Sequence, residues 1–278
     1  MRQRLSFSRR RLLALTVGLA GLTSFALSTA MPAHAEAIKT VKVGIMSGED
    51  EDVWRVVAKN AATDGLNVKI TTFSDYNAPN EALIEHDLDA NAFQHTPYLE
   101  AQNKAHGYHL VIAGNTTFQP IGFYSRKWKS LADIPKNAKI GVPNDPSNEG
   151  RALLMLQSLG LIKVSSDAGL FPTALDVTDN PHNITIEELD AGVVGRSLPD
   201  LDGAVINTDW ARKAGVDLKK ERLGTENLKD NPYVNIIVVN QGDEDKPWAK
   251  SLVKAFQQPN VAKALHEVYH GTVLPAWP

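Results

Sequence analysis

Asn148 and Arg151 are the residues whose types and spacing best suit the chemistry of ligand binding. They stand three residues apart in the opening turns of a helix that we predict between Asp145, a suitable N-cap, and Gly160, a residue type at which helices commonly stop. A cation at this end of a helix is slightly unfavourable because the helix dipole is positive there. The pair is therefore either solvated or faces a negatively charged group.

Aromatic and imidazole side chains form a second set of candidates, near predicted strand ends and helix starts in the first half of the chain. Taken singly, such residues are more often packed in a core than in contact with a ligand. Together they could line an apolar slot with a polar rim, which is the usual make-up of a ligand pocket. The members of this set are Tyr76, Phe93, His95 and Tyr98.

Two asparagines occur in predicted strands that are otherwise apolar. Asn207 ends the segment DGAVIN, and Asn235 lies inside the segment YVNIIVV. A buried amide without hydrogen-bond partners is costly. Each asparagine therefore either caps a neighbouring backbone group or faces a cleft, and the sequence leaves both interpretations open.

The segment HEVYH, from His266 to His270, matches the H-E-x-x-H pattern of helical zinc sites. The eight residues that follow it contain no His, Asp, Glu or Cys that could complete the ligand set. The apolar stripe of the predicted helix leaves both histidines off the core face. We expect solvent-exposed histidines and no metal site, with a secreted zinc hydrolase as the alternative from another functional class.

The first 35 residues have the organisation of a cleavable export signal. A basic start with five arginines precedes an apolar stretch that is shorter than the ~20 residues of a membrane-spanning helix. The sequence AHA at Ala33–Ala35 offers a cleavage site, and SRRRLLA from Ser8 resembles a twin-arginine signal. We expect export to the periplasm, by either the general secretory or the twin-arginine route.

Composition excludes several classes of function. Removal of the signal leaves 243 residues with a net charge of −8, since it takes five of the 29 Lys and Arg and none of the 32 Asp and Glu. An acidic chain is a poor match for nucleic acid or an anionic membrane. The absence of cysteine excludes disulfides, thiolate metal sites and a cysteine nucleophile. It also leaves no cysteine for lipid attachment, so we expect no lipid anchor. We further expect a monomer.

Strand-like and helical segments alternate along the rest of the chain, which predicts an α/β fold with mainly parallel sheets covered on both faces. The strands fall into two clusters, each with its own helices. We predict two lobes, the first at residues 36–119 and 238–278 and the second at 120–237, joined by two crossings. Such lobes can close around a ligand by hinge motion, and a ligand is expected in the cleft between them.

Several segments, taken in order, resemble the NlpA family, the methionine-binding components of ABC importers. The resemblance spans nearly the whole mature chain. It implies the two-lobe periplasmic-binding-protein fold and capture of a free amino acid, with methionine as the expected ligand, for a permease with a cytoplasmic ATPase. It implies no catalytic residue and no cofactor. The segments are DANAFQHTPYLE, NDPSNEGRALLMLQSLGLIK, LDVTDNPHNITIEELDA, RSLPDLDGAVIN and DNPYVNIIVV.

The resemblance also implies roles for the candidate residues. It assigns Asn148 and Arg151 to the ligand carboxylate, and a guanidinium suits a carboxylate because its planar fork makes charge-assisted bonds. Asn207 and Asn235 match the contacts to the amino-acid backbone. The aromatic set and His95 match the side-chain pocket. A methionine-containing peptide or another amino acid stays open as the ligand.

Overall fold

The computed structural model describes residues 39–277, and the predicted export signal lies outside that range. None of the helices between these residues combines the length and the apolar character of a membrane-spanning segment. The described chain builds a six-stranded sheet, a five-stranded sheet and a separate two-stranded pair, with helices packed on the two larger sheets.

The first stretch of chain alternates strands and helices where the sequence predicts them. Its elements are β1 (Lys39–Met46), α1 (Glu49–Thr63), β2 (Leu66–Phe73), α2 (Ala78–Ile84), β3 (Ala90–Asn91), α3 (Thr96–His106) and β4 (Leu110–Phe118).

The middle stretch forms the five-stranded sheet, the two-stranded pair and their helices, with three short 3-10 turns between them. Its strands and α-helices are β5 (Gly122–Tyr124), β6 (Lys139–Pro143), α4 (Pro146–Ser158), β7 (Lys163–Val164), β8 (Val177–Asp179), β9 (Thr185–Leu189), α5 (Ala191–Ser197), β10 (Gly203–Ile206), α6 (Thr208–Lys213) and β11 (Arg222–Thr225). The last stretch returns to the first sheet with β12 (Val234–Asn240), α7 (Pro247–Phe256), α8 (Pro259–Tyr269) and β13 (Leu274–Pro275).

Both larger sheets are mixed, so the prediction of mainly parallel sheets is wrong. The first sheet has the order β13-β4-β12-β3-β1-β2, and the second has the order β11-β5-β10-β6-β9. β1 runs parallel to β2 and β3, and β6 runs parallel to β9 and β10, as strands joined through helices do. β12 and β5 run antiparallel to both of their neighbours. Each of these two strands enters its sheet from the other sheet, so no crossover helix sets its direction.

The chain passes between the two sheets twice, through residues 119–121 and residues 226–233. We refer to these segments as the first and second crossings. The boundary expected at residue 237 falls inside β12, which pairs with β4 from Val234 onwards. The strand starts earlier because the residues before the apolar run IIVV still make the ladder with Phe118 and Asn115. The other predicted lobe limits stay predictions.

Each sheet has apolar packing on both faces. In the first sheet, α1, α7 and α8 cover one face with residues such as Trp54, Phe256 and Tyr269, and Leu83 and Leu99 from α2 and α3 pack in a separate core. In the second sheet, α4 contributes to one core, and α5 and α6 contribute to another. That last core also contains Met46, Phe93 and Tyr98 from the first sheet's side, so apolar contact continues across the gap between the sheets.

Candidate functional site

A cavity lies between the two sheets, with about 380 Å³ of empty space that includes space open to solvent. All eight of the residues selected from sequence as ligand-binding candidates line this one cavity. The sequence did not select four further residues of its wall. The predicted members are Tyr76, Phe93, His95, Tyr98, Asn148, Arg151, Asn207 and Asn235, and the additional ones are Gln94, Gln119, Thr208 and Asp209.

The N-terminus of α4 forms one end of the cavity. Asp145 caps the helix as predicted, because its carboxylate accepts a hydrogen bond from the Asn148 backbone N–H at 3.0 Å. The same carboxylate accepts from the Asn148 side-chain amide at 2.9 Å and from the Ser147 hydroxyl at 2.8 Å. Burial is the largest cause of the raised pKa of Asp145. The cap therefore fixes both the start of α4 and the orientation of the Asn148 side chain.

Asn148 connects the two sides of the cavity. Its Oδ1 accepts from Asn207 Nδ2 at 2.8 Å and lies 3.2 Å from His95 Nε2. The partners named above already occupy both ends of its amide. Asn207 Oδ1 makes no hydrogen bond among residues 39–277. Of these two asparagines, only Asn207 therefore has a free acceptor for a ligand.

Arg151 already has a carboxylate partner within the chain, and that partner is Glu226. The Arg151 side chain is 3% exposed, its Nε donates to Glu226 Oε2 at 3.0 Å, and its Nη2 donates to Glu226 Oε1. Nη2 also donates to the Gln119 carbonyl at 3.0 Å, and the guanidinium stacks 4.4 Å from the centre of the Tyr233 ring. In the described part of the chain, Nη1 makes no hydrogen bond. The arginine is thus buried and held, with one nitrogen left unused.

The Arg151–Glu226 pair lies where the chain passes between the sheets. Glu226 is the first residue of the second crossing, and its Oε1 accepts from the Ile121 backbone N–H of the first crossing at 2.8 Å. Its Oε2 accepts from Asn231 Nδ2, also in the second crossing, at 3.0 Å. Local sequence patterns could not reveal this pair, because its members are 75 residues apart.

His95 is a neutral, buried side chain at the start of α3. Its Nδ1 accepts from the Tyr98 backbone N–H at 3.1 Å, which leaves the proton on Nε2, the nitrogen facing Asn148. Burial, followed by the positive charge of Arg151, lowers the pKa of His95 to about 3. The backbone of His95 forms a bridge with Asn235. Within residues 39–277 the Asn235 side-chain amide has no hydrogen-bond partner, and it lines the cavity rather than capping a backbone group.

The other end of the cavity is an aromatic wall. The ring of Tyr76 lies 5.8 Å from that of Phe93 and 6.0 Å from that of Tyr98, measured between centroids. Tyr98 donates its hydroxyl proton to the Tyr76 carbonyl at 2.9 Å, and burial raises the pKa of Tyr98. The sequence did not select Trp210, whose ring backs the wall 5.5 Å from Tyr76.

The HEVYH segment does not form the helical zinc arrangement. α8 ends at Tyr269, and His270 follows it in the left-handed conformation with φ 51°. The side chains of His266, Glu267 and His270 are exposed, as the apolar stripe predicts. Across the described range of 39 to 277, no three His, Cys, Asp or Glu residues are grouped as metal ligands.

Comparison with known proteins agrees with this geometry. The family model described as NlpA lipoprotein matches residues 41–277. The D-methionine-binding lipoprotein MetQ of Escherichia coli K12 is 45% identical over 240 residues, which are 85% of this chain and 88% of that protein.

Two solved structures extend the comparison. A nutrient binding protein from Burkholderia cenocepacia, bound to methionine, is 48% identical with a TM-score of 0.83, over 85% of this chain and all of that one. A periplasmic substrate-binding protein of an ABC transporter from Coxiella burnetii is 42% identical with a TM-score of 0.81, over the same shares. The predicted two-lobe α/β fold with a cleft between the lobes is thereby confirmed, the first lobe carrying the six-stranded sheet and the second the five-stranded one.

Proposed function

Since the chain belongs to the NlpA lipoprotein family, we propose that it is a periplasmic substrate-binding protein that captures methionine for an ABC importer. The observation that carries this proposal is a single cavity with two unlike ends. One end has a buried arginine beside a helix N-terminus, and the other end has a wall of aromatic rings. The arginine end suits the carboxylate of an amino acid, and the aromatic end suits an apolar side chain.

At the polar end, the ligand carboxylate meets Arg151 and the first turn of α4. Helix N-termini attract anions, and a guanidinium adds a charge-assisted hydrogen bond. Because Glu226 occupies Nε and Nη2, the ligand receives the Nη1 donor rather than the full guanidinium fork. Asn207 and Asn235 line the cavity, and we assign their side-chain oxygens to the ligand ammonium group, since an asparagine oxygen accepts hydrogen bonds.

At the apolar end, the ligand side chain packs against Tyr76, Phe93 and Tyr98. A thioether is polarizable, and its contact with an aromatic ring is worth ~0.3–1.5 kcal/mol beyond burial. This small bonus favours methionine over other apolar side chains of similar length only modestly. The D and L forms of methionine and short methionyl peptides are therefore included in the test below.

The protein acts without catalysis and delivers its ligand to a membrane permease driven by a cytoplasmic ATPase. The support is its kinship with ABC-transporter binding proteins of the same fold. The relatives' names include the word lipoprotein, whereas this sequence has no cysteine for lipid attachment. We therefore place it free in the periplasm, and its recovery in the osmotic-shock fraction rather than with membranes tests that placement.

A thermal-shift panel of amino acids and methionyl dipeptides tests the ligand. A ligand at roughly 100 times its dissociation constant stabilises the folded protein by ~2.7 kcal/mol. We expect methionine to give the largest shift and aspartate or lysine to give none. Calorimetry then measures the affinity of the selected ligand. A panel in which no amino acid or dipeptide raises the melting temperature would contradict the proposal.

A further inference from the structure

Asp209 is the one acidic residue among those of the described chain, 39–277, that line the ligand cavity. Asn207, the N-cap residue of α6, and Thr208 line the same cavity, and Asp209 follows them in the first turn of that helix. The Asp209 side chain is 9% exposed. A carboxylate that is nine-tenths buried therefore forms part of the cavity wall.

One oxygen of this carboxylate has no hydrogen-bond donor. Asp209 Oδ1 is buried, and it has no partner among residues 39–277. A buried carboxylate oxygen without a donor is costly, so such an atom in a native structure calls for a donor from outside the chain. Because Asp209 lines the cavity, a bound ligand is the molecule that can bring this donor.

The other charged, hydroxyl and amide side chains of α6 and its N-cap donate to other acceptors, so they do not supply Asp209 Oδ1. These bonds run from Asn207 to Asn148 Oδ1 at 2.8 Å, from Thr208 to the Pro120 carbonyl at 2.6 Å, from Arg212 to Glu49 at 2.8 Å and from Lys213 to the Ser47 hydroxyl at 3.3 Å.

Two other carboxylates beside the cavity are satisfied by the chain itself. Asp145 accepts from the backbone and the side chain of Asn148, and Glu226 accepts from Arg151 on both of its oxygens. Arg151 is therefore neutralised by Glu226, whereas no salt bridge among residues 39–277 includes Asp209. A ligand with a positive group thus meets one wall charge that the chain leaves without an ion-pair partner.

We infer that Asp209 binds the ammonium group of the ligand, with Oδ1 as an acceptor, and thereby restricts the cargo to molecules that carry a free amino group. This inference rests on the proposed function, because it assumes an amino acid in this cavity. Asp209 adds a charged partner to the neutral oxygens of Asn207 and Asn235. A charge-assisted hydrogen bond is roughly twice as strong as a neutral one, so Asp209 discriminates an amino acid from the corresponding hydroxy acid.

The protonation state of Asp209 agrees with this role. Burial raises the pKa of Asp209 to about 6, although the charge of Lys213 opposes the change. The carboxyl group is therefore ionised at about pH 7.5, where a free amino acid is a zwitterion. An ammonium group in contact with it favours the ionised form further, because an opposite charge stabilises a carboxylate.

The experiment is calorimetry of the full mature chain at about pH 7.5 with two ligands of the same configuration, methionine and its hydroxy-acid analogue. The analogue has a hydroxyl group in place of the ammonium group and keeps the carboxylate and the thioether chain. The wild type should bind methionine about 10- to 100-fold more tightly than the analogue, which is the range expected for a hydrogen bond to a charged group.

Asp209→Asn should lose most of this preference, because its affinity for methionine falls while its affinity for the hydroxy acid stays the same or rises. Asp245→Asn is the matched control, since the Asp245 carboxylate is 88% exposed, and it should keep the wild-type preference. Asp209→Ser is a second variant, for which we expect the same loss of preference as for Asp209→Asn.

Three results would overturn the inference. The first is equal affinity of the wild type for the two ligands. The second is a full preference for methionine that survives in Asp209→Asn. The third is a loss of affinity in Asp209→Asn by the same factor for both ligands, because Asp209 would then only maintain the shape of the cavity.

Thermal unfolding without ligand shows whether the variants are folded. Asp209→Asn should melt at the wild-type temperature or above it, because it removes a buried charge and keeps the shape of the side chain. The wild type separates the two proposals. Binding of neither ligand would contradict the proposed function, on which the inference depends, whereas binding of methionine without preference over the hydroxy acid would contradict the inference alone.

Discussion

Two buried carboxylates near the cleft, those of Glu226 and Asp209, differ in their hydrogen-bond partners. Glu226 has its cation in the chain, since Arg151 donates to both of its oxygens, and a backbone N–H and an asparagine complete its hydrogen bonds. Asp209 also lines the cavity, but its Oδ1 has no hydrogen-bond partner among residues 39–277. Burial raises the pKa of Asp209 to about 6. One carboxylate is thus fully bonded within the chain, whereas the other keeps an unpaired oxygen beside the ligand cavity.

Arg151→Ala should break the paired end and give the largest effect. Methionine binding should be lost, and the protein should be destabilised by ~3–5 kcal/mol because Glu226 is left buried without its cation. Chemical denaturation and calorimetry measure the two losses. The double variant Arg151→Ala/Glu226→Ala should regain part of the stability and none of the binding. Methionine affinity that survives Arg151→Ala would contradict the assignment of the ligand carboxylate.

Glu226→Gln should sharpen the comparison, because it keeps the shape of the side chain and removes its charge. We expect about tenfold weaker methionine binding, equivalent to ~1.4 kcal/mol, since the guanidinium loses the charge-assisted bonds that orient Nη1. Binding of methioninamide, which has no carboxylate, should change little. Glu267→Gln is the control, as its carboxylate is 64% exposed. Equal losses for both ligands would show that Glu226 only stabilises the fold.

Tyr98→Phe tests the aromatic wall without touching either charged end. It removes the hydrogen bond to the Tyr76 carbonyl and keeps the ring, so a net loss of ~0.5–1.5 kcal/mol is expected in unfolding free energy. Methionine affinity should fall by less than that. A fall in affinity larger than the loss of stability would mean that the Tyr98 hydroxyl contacts the ligand.

His95 should show no change at all, which makes it the smallest of these effects. With a pKa of about 3, its ring stays neutral from pH 8 to pH 5, and its NMR signals should not titrate in that range. The unfolded chain takes up a proton on His95 near its ordinary pKa of 6.5, so this residue lowers the stability of the fold as the pH falls below that value. A ring that titrates near pH 6.5 in the folded protein would contradict the assignment of His95 as a buried, neutral side chain.

The sequence was sufficient for features that depend on short-range patterns. The cap at Asp145, the helix that follows it and the apolar run of β12 are encoded in adjacent residues, and they were found where predicted. The eight cavity residues were selected by combining those patterns with a resemblance to one family, and they line one cavity.

The missing features depend on pairs that are distant in sequence. Nothing near Glu226 indicates that it accepts from Arg151, and nothing near His95 indicates that it lies beside Asn148. Strand direction was missed for a similar reason. A periodic pattern predicts that β5 and β12 are strands, but their antiparallel pairing depends on the route by which the chain enters each sheet.

The Glu226 carboxylate connects the two crossings, about which any hinge motion of the lobes must occur. It accepts from the Ile121 amide in the first crossing and from the Asn231 side chain in the second. Because the two crossings are hydrogen-bonded to each other, we expect them to bend together, which limits the directions in which the lobes can open. A substitution in either crossing that breaks these hydrogen bonds would therefore lower ligand affinity without changing any residue that contacts the ligand.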